Sequence, residues 1–176
     1  MNHIVQIGFN QRIRLEWLER TSALLLGGHS RDEIQAALQD LLRDEISVGG
    51  NAERGNREKA ITILMRTWVS VPKSLEPLRN DGLDHLRRLP VSDHLPVHWG
   101  MAMAAYPFFG LVAESAGRLL ALQGSVVASQ VQRRVREQLG ERETVRRATR
   151  RVLRCFFDWR VLEDTDKSIR LRRFIR

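Results

Sequence analysis

Apolar residues recur along most of this chain at intervals of three and four, the spacing that lines side chains up on one face of an α-helix. Ile13, Trp17, Leu18, Thr21, Leu24 and Leu25 make the first such row, and Gly27-Gly28 ends it. Ser30-Arg31-Asp32-Glu33 has the form of a capping box, in which Ser30 covers the Glu33 amide and Glu33 reaches back. Ile34, Ala37, Leu38, Leu41 and Leu42 then define a second helix. Gly49-Gly50-Asn51 opens a polar loop, and Ala60, Ile61, Leu64, Met65 and Trp68 predict a third helix. Pro72 and Pro77 bracket a break, and Asn80-Asp81-Gly82 reads as a turn before a short helix ending near Leu89. The stretch from Pro96 to Leu122 is the most apolar, and Pro107 divides it into two helices because an internal proline removes a backbone bond. Residues 3–9 suggest a short extended arm.

Beyond Gly124 the pattern becomes sharper. Val131, Val135 and Leu139 form one apolar row with Arg133, Arg134 and Arg136 outward, and Gly140 stops it. From Glu143 or Thr144 to about Trp159, Val145, Ala148, Thr149, Val152, Leu153 and Phe156 gather on one side of a helix. Arg147, Arg150, Arg151 and Arg154 gather on the other, with Arg146 on the flank. Arg160-Val161-Leu162 starts a strand, Asp164 to Lys167 makes a turn, and Ser168–Phe174 alternates Ile169 and Leu171 with Arg170 and Arg172. The expected fold is mainly α: a helical body over 10–123, then a winged helix-turn-helix module over 125–176 ending in a short β-hairpin.

Charge distribution adds a partner to this picture. Val126–Arg176 holds fifteen Lys+Arg against seven Asp+Glu, so the whole net charge of +8 lies there. The preceding residues balance. A local excess of this kind suits a polyanion. In a winged helix-turn-helix the second helix enters the major groove while neighbouring groups hold phosphate, and the planar fork of arginine serves both contacts. Arginine-rich faces are often no more than solvated surface, and small winged helices also dock proteins. Here two helices and the hairpin share one sign, which favours nucleic acid. The candidate contacts are Arg133, Arg134, Arg146, Arg147, Arg150, Arg151 and Arg154, with Lys167, Arg170 and Arg172 on the wing. No aromatic strip interleaves the arginines, so double-stranded DNA is favoured over RNA.

Catalytic chemistry has no comparable signal. There is no glycine-rich phosphate loop, HExxH pair, nucleophile elbow or paired-carboxylate pattern, and no cofactor is expected. His94 and His98 are four apart and could share a metal, but Pro96 lies between them and no third ligand has motif spacing. Asp93 and His85 are merely nearby, and capping or core hydrogen bonding is the expected role of the two histidines. Cys155, the single cysteine, is expected to pack as a small apolar side chain. One thiol builds neither a disulfide frame nor a zinc quartet, as in a reducing compartment. Met1–Gly8 lacks the basic start and apolar run of a secretory leader, and Val97–Ala113 is broken and short for a membrane span. A cytoplasmic protein without a membrane role is the expectation.

Several segments together resemble the BrxA family of the BREX phage-defence systems of bacteria. They are SRDEI at Ser30, NREKAITILMRTW over Asn56–Trp68, PKSLEPLRNDG over Pro72–Gly82, the central apolar helices, and TVRRATRRVLRCFFDWRVL over Thr144–Leu162. The similarity runs from about Leu15 to Leu171. Met101–Phe109 departs from it, being more apolar and more broken by glycine and proline. The resemblance implies a helical, NusB-like protein with helix-turn-helix character that binds DNA without catalysis, beside the other proteins of its defence system. A winged-helix transcriptional regulator, a NusB-like RNA-binding protein and an interaction adaptor working through Met101–Phe109 are the alternatives.

Overall fold

The computed structural model describes residues 7–46, 55–165 and 168–171, with side chains up to residue 163. The structure is mainly helical. Eight α-helices occupy the described residues: α1 (Leu15–Leu26), α2 (Arg31–Leu41), α3 (Asn56–Trp68), α4 (Glu76–Arg88), α5 (Leu95–Ala105), α6 (Pro107–Gln123), α7 (Ala128–Leu139) and α8 (Glu143–Asp158). Strands β1 (Leu162–Thr165) and β2 (Ser168–Leu171) pair antiparallel, with Leu162 opposite Leu171 and Thr165 opposite Ser168. The loop at Gly49-Gly50-Asn51 and the greater part of the 3–9 arm lie outside the described residues. Among the described residues no helix is long and apolar enough to cross a membrane.

The chain divides into two compact units, one of residues 13–105 and one that joins residues 1–12 to 106–176. The first holds α1 to α5. Ser30 caps α2 as its spacing requires: its hydroxyl accepts from the Glu33 amide at 3.3 Å, and the Glu33 carboxylate accepts from the Ser30 amide at 2.7 Å. Ile34, Leu38 and Leu42 are buried, as are Ala60, Ile61, Leu64, Met65 and Trp68 of α3, which packs against α1, α2 and α5. Leu41 is exposed, so the α2 stripe is narrower than the sequence suggests.

Asn80-Asp81-Gly82 does not turn. Helix α4 runs straight through it, started by Pro77 in its first turn, where a missing N–H costs nothing. Gly82 is buried for another reason: a Cβ there would lie 3.2 Å from Cη2 of Trp68. The glycine admits the indole. Local turn propensity yielded to packing against a side chain fourteen positions earlier.

The terminal unit holds α6, α7, α8 and the strand pair. Helices α7 and α8 pack on each other and on α6. Gly140 ends α7 with φ +87°, a conformation that disfavours any Cβ, and α8 begins three residues later. Phe109 is its hub, with ring centroids 5.0 Å from Phe9, 5.2 Å from Phe156 and 5.5 Å from Trp159. Phe9 also meets Tyr106 edge-on at 5.4 Å. Such rings contribute through buried area and quadrupole geometry together.

The expected division at Gly124–Ser125 follows charge, whereas the contacts divide the chain between Ala105 and Tyr106. The reason is physical. Charge composition records which faces meet solvent, while unit membership follows the apolar faces. Those of α6 are shared with α7 and α8, and Phe108, Phe109, Val112 and Leu120 are all buried.

Candidate nucleic-acid interface

Helix α8 is the organising element. Val145, Ala148, Thr149, Val152, Leu153, Cys155 and Phe156 are buried. With that side committed to the core, residues offset by half a turn must face outward. Arg146, Arg147, Arg150 and Arg154 are exposed accordingly. On α7, burial of Val131 and Val135 leaves Arg133 and Arg134 exposed and Arg136 half-buried. Across residues 128–160 the exposed charges are eight arginines against three glutamates.

The arginines are not equivalent. Glu143, in the first turn of α8, accepts two bonds from Arg146 at 2.7 and 2.8 Å and one from Arg147 at 2.9 Å. Hydrogen bonds from Arg146 and then Arg147 hold its carboxyl down at about 2. Glu137 accepts likewise from Arg133 at 3.0 Å and Arg134 at 3.4 Å, which also lowers its pKa. These pairs are solvent-exposed, so water and salt screen both partners and their hold is weak. Arg150 and Arg154 have no carboxylate partner among the described residues. One helical turn apart, they are the least encumbered cations of the face.

Arg151 departs from expectation. It is half-buried and donates from its guanidinium to the Asn10 carbonyl. Burial, with Arg147 and Arg154 nearby, lowers its pKa. It therefore acts as an anchor for the N-terminal segment, not as part of the open face. Two further contacts share that anchoring: Arg12 pairs with Asp158, and the Cys155 thiol lies 3.9 Å from the Gln11 carbonyl. Cys155 is fully buried, and its thiol donates to the Arg151 carbonyl at 3.2 Å. On the wing, Arg170 falls in β2 with its side chain outside the described residues, and Lys167 and Arg172 lie outside them altogether.

A second polar cluster lies in the unit of residues 13–105. His94 and His98 are buried and share one carboxylate, Glu19, which sequence reasoning missed. Nothing local could have revealed it, since Glu19 comes from α1, seventy-five positions before His94. Each of the three residues brings one potential metal-ligand atom within 4.8 Å of the others. No family model matches the chain, and neither a curated protein nor a solved structure is found to be similar to it.

Proposed function

We propose that this protein binds double-stranded DNA without catalysis, gripping the phosphate backbone through the outward faces of α7 and α8. The observation that carries the reading is the pair Arg150 and Arg154, exposed on a helix whose opposite side is buried and free of carboxylate partners among the described residues. Arg146, Arg147, Arg133 and Arg134 surround the same role once phosphate outcompetes their weak glutamate pairs. In this reading α7, the turn at Gly140 and α8 form a helix-turn-helix, and β1–β2, the strand pair that includes Arg170, is the wing. The phage-defence setting rests on the resemblance to BrxA proteins and is proposed on that ground alone.

Fluorescence anisotropy of a labelled random duplex across salt concentrations tests the reading. If about six arginines meet phosphates, log K falls against log salt with a slope near −5. A flat salt response overturns it. Preference for single-stranded or structured RNA in the same titration would favour the NusB-like alternative instead. Strong preference for one operator over random duplex would favour a transcriptional regulator.

A further inference from the structure

The protons of the Glu19–His94–His98 cluster can be assigned from its hydrogen bonds. An indole nitrogen has only a proton to offer, and Nε1 of Trp68 donates it to His98 Nδ1 at 3.1 Å. That nitrogen is therefore a lone pair, and the single proton of His98 sits on Nε2. There it lies 3.1 Å from Glu19 Oε1, though off the line of a good hydrogen bond. His94 differs at both nitrogens. Its Nε2 lies 3.0 Å from the Leu89 carbonyl oxygen, and its Nδ1 lies 3.0 and 3.1 Å from the two oxygens of Glu19. Both partners are acceptors. Each nitrogen must donate, so the ring carries two protons and a positive charge.

We propose that His94 is a resident imidazolium, and that its part-buried pair with Glu19 is a pH-sensitive latch fastening α1 to the start of α5. His94 and His98 are 7% and 0% exposed, so a charge there needs a partner and has one. The groups facing His94 come from each neighbouring element: Glu19 from α1, His98 from α5, and the carbonyls of Leu86 and Leu89 at the end of α4. Helix α3 contributes the neutral Trp68, through His98.

The titration behaviour agrees with the geometry. Burial pulls the His94 pKa down, but Glu19 and the Leu89 carbonyl outweigh it, and the net movement is upward from 6.5. Burial pushes Glu19 up, but contacts with His98 and His94 prevail, and the net movement is downward from 4.5. A raised histidine contributes stability that is complete below its unfolded pKa and is lost as pH rises through its folded one. A depressed carboxylate contributes stability present above its unfolded pKa and lost as pH falls through its folded one. The latch is therefore fully closed between 4.5 and 6.5 and loosens as pH rises through the raised pKa of His94.

A divalent metal would use the same three side chains, but binding at His98 Nε2 would move that proton to Nδ1, directly against the Trp68 N–H. Zinc ligands instead donate their second ring N–H to an acceptor. Nitrogen NMR of the histidine rings in the full chain separates the two cases. At about pH 7 His94 should show both nitrogens protonated and His98 the Nε2–H tautomer. Glu19→Gln should return His94 toward ordinary titration. The Tm of the wild type should fall by at most about 3–5 °C per pH unit above the closed window, and His94→Gln should flatten that slope. A neutral His94 at about pH 7 would overturn the proposal, and that measurement needs no variant to fold. So would a chelator-reversible rise in Tm on adding zinc with transfer of the His98 proton to Nδ1.

Discussion

Replacing Arg150 and Arg154 together with alanine gives the sharpest account of what the basic face does. Both side chains are exposed and neither has a carboxylate partner among the described residues, so their removal should leave Tm nearly unchanged. If each neutralises one phosphate, the slope of log K against log salt should become less negative by about 1.8. Taking the counterion term alone, affinity for a random duplex should then fall roughly 60-fold at about 0.1 M salt but only about 18-fold at about 0.2 M. Anisotropy titrations of wild type and variant at four or so salt concentrations read both quantities at once. The lysine pair at the same positions keeps the charge and should keep the slope. Loss of affinity by one constant factor at every salt concentration would refute phosphate contact by these arginines. An unchanged affinity would refute their place in the interface.

Four further outcomes follow from the geometry. Glu143→Gln removes the carboxylate that holds Arg146 and Arg147, so duplex binding should tighten and its salt slope steepen, both read in the same titration. Phe9→Ala opens a cavity beside Phe109 and Tyr106 and should cost about 3–5 kcal/mol in chemical denaturation, while Arg151→Ala, losing the anchor to the Asn10 carbonyl, should cost about 1–3 kcal/mol. Gly82→Ala gains helix propensity but presses on a Trp68 ring that is fully buried and bonded to His98. A net loss of about 1 kcal/mol is expected, measured by thermal and denaturant unfolding.

Arg151 shows where reasoning from a helical wheel stops. The wheel places it with Arg147, Arg150 and Arg154, and on α8 considered alone that is where it belongs. Its actual role depends on a segment more than a hundred residues earlier that lies against the helix and offers a carbonyl. The same segment explains why Gly124 marks the change of charge without dividing the two units: residues 1–12 group with 106–176 through Phe9, Gln11 and Arg12, and α6 joins them by its buried phenylalanines.

What the amino-acid order determined by itself was local and periodic. It includes the Ser30–Glu33 cap, the proline starting α6, the glycine ending α7, and the two faces of α8, apolar on one side and cationic on the other. Each arises from interactions within about one helical turn, where spacing along the chain is also distance in space. Only the tertiary structure decided that Gly82 is a seat for Trp68 and not a turn, that Arg151 is an anchor, and that Glu19 joins His94 and His98. Those assignments depend on side chains brought together by chain reversals, and periodicity along one helix carries no information about what another helix lays against it.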